Sequence, residues 1–169
     1  MTVIYSAAKR HSEDEENALG VQYAGSLQDL LAKSDFVSVH VPLTPQTRHL
    51  IGAAEFSLMK PTAVFVNTSR GGVADQRALY EALKSRRIFA AGLDVTEVEP
   101  IPSDDPLHTL DNVIVLPHIG SATVATRTRM AVMAADNLVA GLRGVIPPNC
   151  VNPEAGRPRP NDGLQADRE

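Results

Sequence analysis

Short apolar runs rich in β-branched side chains alternate along the chain with stretches whose apolar positions recur every three or four residues. Residues 2–5, 35–41, 63–67, 89–95 and 112–116 read as strands, the second of them stopped by Pro42. Runs such as Val64-Phe65-Val66 and Val113-Ile114-Val115-Leu116 show no polar alternation, which is the pattern of strands covered on both faces. Between the strands the period is helical. Ser26 is placed to cap a helix with Leu27, Leu30 and Leu31 on one face, and a short helix is predicted over 53–59. Asp75 is placed to cap a longer one that turns Leu79, Tyr80 and Leu83 inward. Lys84, Arg86 and Arg87 fall near its C-terminal end, where the helix dipole favours cations. Strands joined by short helices predict an α/β fold with a parallel sheet.

After His118 the pattern changes. A long helix is predicted over 122–142, with Met130, Ala134, Leu138 and Leu142 four apart, and Gly144 followed by Pro147-Pro148 ends it. From Pro153 onward the chain is proline, glycine, amide and charge without an apolar face, so 153–169 is expected to be a disordered tail. At the other end, Met1 leads straight into a strand. A doubly wound nucleotide fold opens with strand, glycine-rich turn and helix before its second strand. No G-x-G-x-x-G occurs anywhere in the sequence, so the chain is expected to start at that second strand. The organisation expected is a partial dinucleotide-binding domain over 1–121, a long helix and connection over 122–152, and the tail.

Composition narrows the function classes. Hydrophobic residues are 43% and charged residues 21%, an ordinary globular profile, and the length allows one domain with a substantial core. The net charge of −4 and the lack of a basic patch interleaved with aromatics argue against nucleic acid. No apolar run approaches the ~18 residues of a membrane span, and none has the form of a signal peptide core. Cys150 is the single cysteine; it cannot form an internal disulfide, which fits a cytoplasmic setting, and it reads as an inert side chain.

The candidate chemistry is concentrated in three stretches, each ending a strand: Asn67-Thr68-Ser69-Arg70-Gly71-Gly72, Gly92-Leu93-Asp94-Val95 running to Glu99-Pro100, and Leu116-Pro117-His118-Ile119-Gly120-Ser121. An arginine offers a planar fork that matches a carboxylate and an adjacent carbonyl oxygen. A histidine gives and takes a proton near neutral pH, and a carboxylate beside an imidazolium favours the charged form. Ligands of parallel sheets bind beyond the carboxyl ends of the strands. The end of the first strand, Tyr5-Ser6-Ala7-Ala8-Lys9-Arg10, carries no acid for ribose hydroxyls and two nearby cations, which would suit a 2′-phosphate; the pair could equally be solvated surface charge. His40 and His49 read as packing and turn residues, and His11 and His108 as surface residues.

These three motifs, in this order, resemble the D-2-hydroxyacid dehydrogenase family, most closely its glyoxylate/hydroxypyruvate reductases, over about residues 3–151. The resemblance implies a Rossmann-like parallel sheet lacking its first strand–glycine loop–helix unit, with a long C-terminal helix. It implies a small 2-oxo or 2-hydroxy acid as substrate and a homodimer for the full-length family. It assigns catalysis to Arg70, which holds the substrate, His118 as acid/base, and Glu99, which orients His118. Glu97, Asp104 and Asp105 are then expected to be solvated loop charges. On the cofactor side it implies Val41, Pro42 and Thr47 in the loop under the cofactor. It also implies Ser69, Arg70, Asp94, His118, Gly120 and Ser121 towards the nicotinamide end. Lys9 and Arg10 favour NADP(H) over NAD(H). A reductase of a small 2-oxo acid, inactive as this isolated chain, is the expected function; a non-catalytic binding module or a partial product without function remains open beside it.

Overall fold

The computed structural model describes residues 1–155, and these divide into two compact units, the first Met1–Gly120 and the second starting at Ser121. In the first unit, six strands alternate with four helices: β1 (Val3–Tyr5), α1 (Glu13–Leu19), β2 (Val21–Tyr23), α2 (Leu27–Lys33), β3 (Phe36–Val39), α3 (Ala53–Leu58), β4 (Val64–Asn67), α4 (Gln76–Lys84), β5 (Ala90–Leu93) and β6 (Val113–Val115). Every strand pair is parallel. The one sheet expected from the sequence is two ladders, β1-β2 and β3-β4-β5-β6, with no hydrogen-bonded pairing of β1 to β3. The doubly wound order places a further strand between these two; the described residues contain none.

The sequence reading also omits α1 and β2. Helix α1 is polar all round, so hydrophobic periodicity gives no signal. What builds it is local: the Ser12 hydroxyl accepts from the Glu15 N–H while the Glu15 side chain accepts from the Ser12 N–H, a complete capping box. Gly20 closes the helix at φ 65°, a left-handed conformation that favours glycine, and β2 follows at once. The expected helices are present with the expected caps, Ser26 on α2 and Asp75 on α4.

The core lies around the four-stranded sheet. Leu31 of α2, Ile51, Phe56 and Met59 around α3, Phe65 of β4, Leu79 and Leu83 of α4, Ile88 and Leu107 are all almost completely buried. Phe56 and Phe65 meet edge to face at 5.3 Å between centroids. By contrast, Glu16 is the only buried residue among the first 26. Its carboxylate takes two hydrogen bonds from the Arg10 guanidinium, both 2.8 Å, and one from the Tyr5 hydroxyl at 2.7 Å.

The second unit is built on helix α5 (Val124–Leu142), capped by Thr123, whose hydroxyl accepts from the Thr126 N–H. Asn137 accepts from the Asn149 N–H, which folds the segment after Gly144 back along the helix. Of the tail expected over 153–169, Pro153–Ala155 form a short 3-10 turn and the rest lies outside the described residues.

Candidate active site

Because β3, β4, β5 and β6 run parallel, the segments that leave them share one rim. Each segment is shaped by a specific residue. At the end of β4, Asn67 is buried and organises the Arg70 loop: its Oδ1 accepts from the Ser69 N–H and hydroxyl, and its Nδ2 donates to the Arg70 carbonyl. Arg70 is exposed, with Nη1 on the Ser69 carbonyl at 2.6 Å. Asn67 is a site residue that the sequence reading did not single out; an amide ending an otherwise apolar strand was the available signal.

After β5, Asp94 is buried and both its carboxylate oxygens are engaged, accepting from the Ile119 and Gly120 N–H groups at 2.8 Å. The His118 N–H donates to the Asp94 carbonyl at 2.9 Å, and His118 adopts φ 54°. Three hydrogen bonds from one residue thus hold a histidine in a backbone region that side chains rarely visit. A Cβ on Gly120 would lie 2.8 Å from Asp94 Oδ2, so that position requires glycine. Asp94, expected towards the nicotinamide, has its hydrogen-bonding capacity directed at the turn that carries His118.

His118 Nδ1 lies 2.8 Å from Glu99 Oε2. A carboxylate only accepts, so the Nδ1 hydrogen faces Glu99 and Nε2 is left for another partner. This hydrogen bond is the main cause that holds the Glu99 carboxyl below the usual carboxylate range; desolvation opposes it, and the Thr96 N–H, the His118 charge and the Arg70 charge add to it. The two side chains are 48% and 39% exposed, so the pair matters for geometry more than for attraction. Both line a cavity of about 570 Å³ whose walls include Asp94, Thr96 and the apolar Ile101, Leu107, Val113 and Val115. Arg70 is not among its lining residues, but its loop abuts the Glu99 loop: a Cβ on Gly71 would come within 1.9 Å of the Thr96 carbonyl oxygen.

The remaining cofactor-side residues fall in separate places. Val41 packs against the core, and the Thr47 hydroxyl ties the 42–47 loop by donating to the Pro42 carbonyl. Ser121 opens the second unit. Lys9 is exposed, and Arg10, though exposed too, is paired with Glu16 and lies 5.5 Å over the Tyr23 ring, so it is more than the merely solvated charge that one reading allowed. The expectation for two loop acids is corrected as well. Glu97 accepts from the Gln76 N–H and pairs with His49, and Asp105 accepts from Leu107 and from the Gln76 side chain. His49 is therefore more than a turn residue. Among the described residues no cluster of His, Cys, Asp and Glu could hold a metal ion, and no helix is long and apolar enough to cross a membrane.

Known proteins carry the same arrangement of sequence. The chain is 56% identical over 160 residues to a glyoxylate reductase of Korarchaeum cryptofilum, covering 95% of this chain and 48% of that protein. Among solved structures, the TT0316 protein of Thermus thermophilus superposes with a TM-score of 0.81 at 44% identity, over 89% of this chain and 46% of that one. An NADPH-dependent glyoxylate/hydroxypyruvate reductase of Sinorhizobium meliloti, in complex with NADP and malonate, does so at 0.73 and 35% identity, over 82% and 42%. The chain thus spans about half the length of the relatives it matches. Residues 1–120, the whole first unit, match the family described as D-isomer specific 2-hydroxyacid dehydrogenase, NAD binding domain, and the chain belongs to that family.

Proposed function

We propose that this chain carries the proton-transfer and substrate-anchoring side of an NAD(P)H-dependent reduction of a small 2-oxo acid of the glyoxylate or hydroxypyruvate type. The observation that carries the reading is the 2.8 Å Nδ1 hydrogen bond from His118 to Glu99. It fixes the ring and directs Nε2 outward as the proton donor to the substrate carbonyl oxygen. Glu99 supports the imidazolium before transfer and keeps the ring oriented after it. Arg70, exposed on the neighbouring loop, takes the substrate carboxylate and the adjacent oxygen in its fork.

The residues fit a dinucleotide at its nicotinamide end, where the 42–47, 67–70 and 117–120 segments leave β3, β4 and β6, parallel strands of one sheet. When bound, the nicotinamide supplies the hydride that the carbonyl carbon receives. For the other end, Ser6 replaces the acid that binds ribose hydroxyls in NAD enzymes, and Lys9 is exposed beside it. Arg10 uses its Nε and Nη2 edge on Glu16, so only its Nη1 edge lies outside that pair. This arrangement favours NADPH, with Lys9 as the main partner of the 2′-phosphate.

The sequence holds no G-x-G-x-x-G, and among the described residues no glycine-rich turn opens an α-helix to receive the pyrophosphate, so the chain by itself should bind NADPH weakly and reduce nothing. The test is a chimaera in which this chain replaces the matching segment of the Korarchaeum cryptofilum glyoxylate reductase. NADPH-dependent reduction of glyoxylate or hydroxypyruvate is expected. Cofactor binding without reduction would overturn the enzymatic reading and leave a binding module.

A further inference from the structure

Glu99 stands on a segment with no regular structure, between β5 and the 3-10 turn Pro106–Thr109. Within that segment Thr96 steadies it locally: its N–H donates to Glu99 Oε1 at 3.2 Å and its hydroxyl to the Val98 carbonyl at 2.8 Å. What holds the segment against the rest of the unit lies two residues away. Glu97 and Gln76, at the first position of α4, bond reciprocally: the Gln76 N–H donates to Glu97 Oε1 and the Glu97 N–H donates to Gln76 Oε1, both at 2.9 Å. Gln76 Nε2 continues to Asp105 Oδ2 at 2.7 Å, and Asp105 Oδ1 caps the 3-10 turn through the Leu107 N–H. One side chain therefore grips both ends of the Glu99 segment.

His49 completes the arrangement. Its N–H donates to the Gly72 carbonyl at 2.8 Å, two residues from Arg70, and its Nε2 lies 3.1 Å from Glu97 Oε1, two residues from Glu99. Its backbone is held at φ 52°, which a side chain adopts only where its surroundings require it. We propose that Gln76, Glu97 and His49 form a latch that ties the Arg70 loop to the Glu99 segment and so sets the position of the Glu99 carboxylate against His118. None of the three touches the reacting atoms; all are positioning residues. The pairs are partly exposed, so their worth lies in the geometry that several bonds impose together rather than in attraction between charges. The close approach of Gly71 to the Thr96 backbone adds that any slackening of the latch is felt at both loops.

The sign of the effect separates positioning from plain electrostatics. Glu97 and Glu99 carry like charges, so removing the Glu97 charge alone should lower the titration midpoint of Glu99. Losing the alignment with His118 should raise it towards the ordinary glutamate value. The experiment follows the Glu99 side-chain carboxyl by NMR across the acid range in the 13C-labelled chain, with amide spectra verifying the fold. E97A and Q76A are expected to move the midpoint up. E97Q, which keeps the acceptor for the Gln76 N–H and a polar side chain beside His49, is expected to leave it in place or move it down. If E97A fails to fold, Q76A carries the test, since it removes a partly exposed side chain and leaves the backbone of α4 intact. An unchanged or lowered midpoint in folded Q76A, or an equal rise in E97Q, would overturn the latch. Because the readout is a carboxyl rather than reduction of an oxo acid, the failure of the reductase reading would leave this result standing.

Discussion

The two ends of the first unit are held by different forces. Around the four-stranded sheet, Phe56, Phe65, Leu79, Leu83 and Ile51 are excluded from water and share one core. Around β1, α1 and β2, the only buried residue is a glutamate, and the cluster of Tyr5, Arg10, His11, Glu16 and Tyr23 is polar and aromatic. Apolar contacts carry no charge to titrate or to screen, whereas a hydrogen-bonded ion pair responds to both pH and ionic strength. The sheet end is therefore a fixed platform, and it carries the Arg70, Glu99 and His118 loops. The other end is conditional, and it carries the cations expected at the cofactor's phosphate. In the proposed reductase, proton transfer and substrate anchoring would then fall on the part held by apolar burial, and recognition of the cofactor's phosphate on the part that charge holds together.

The sharpest break between the ends is at the rim. In the chimaera, His118→Gln should lower the rate of reduction by about 10²–10⁴, because a positioned proton donor is lost. It should leave cofactor binding and the β1–β2 end unaltered. Stopped-flow single turnovers with equilibrium NADPH titration measure the two separately; a near-normal rate would remove His118 from the mechanism. Of similar size is Phe65→Ala, which should cost about 3–5 kcal/mol in the denaturant unfolding of the chain, since a fully buried ring with an edge-to-face partner is deleted. Were the loss under about 1 kcal/mol, the sheet would not be the rigid end.

The same contrast explains what was legible in the sequence. The apolar strands β3 to β6 and the capped amphipathic helices α2 and α4 announce themselves because burial imposes periodicity. Arg70, Glu99 and His118 stand out because each follows such a strand. At the polar end only β1 answers that test; α1 and β2 are silent to it. Helix α1 has a sequence, Glu-Asp-Glu-Glu-Asn-Ala-Leu, with no apolar face, and β2 is three residues with a glutamine in the middle. Their signals were Ser12 three residues before Glu15, and Gly20. Nor could spacing tell Glu97 from a solvated acid, because its partner Gln76 is 21 residues away, with α4 and β5 between them. Likewise, nothing in sequence says that Arg10 faces Glu16 rather than solvent.

A smaller effect tests how the two cations divide their tasks. In the chimaera, Lys9→Ala should reduce the preference for NADPH over NADH by roughly tenfold, the scale of one hydrogen bond to a charged group, without changing the stability of the β1–β2 end. Arg10→Ala should reduce the preference and loosen that end together, because it also frees Glu16. Competition assays with both cofactors, beside hydrogen exchange at the β2 amides, distinguish the two variants. An initial NADH preference would mean that Lys9 serves only the solvent.

The least conspicuous expected change is local and concerns acid. The Arg10 guanidinium, and after it the Tyr5 hydroxyl, pull the Glu16 carboxyl down to about 2. The same cluster pushes the Tyr5 phenol up, through desolvation first and then its bond to the carboxylate. A carboxyl whose folded-state value is depressed stabilises the fold fully above its unfolded value, near about 4.3, and that contribution is lost as pH falls through the folded one. Between about pH 4.3 and 2, then, the β1–β2 end should open while the four-stranded core stays closed. The Ala24 N–H, which donates to the Tyr5 carbonyl, reports the opening by hydrogen exchange, and amides of β4 report the core. Glu16→Gln should keep the acceptor for Tyr5 but lose the charge for Arg10, so its Ala24 protection should start lower and be flat across the same window. Raising the salt to about 1 M, where the screening length is about 3 Å, should move the wild-type chain part of the way towards that behaviour. If Ala24 and the β4 amides instead lose protection together, at one pH and with one salt dependence, the two ends are a single cooperative body and the contrast between them does not hold.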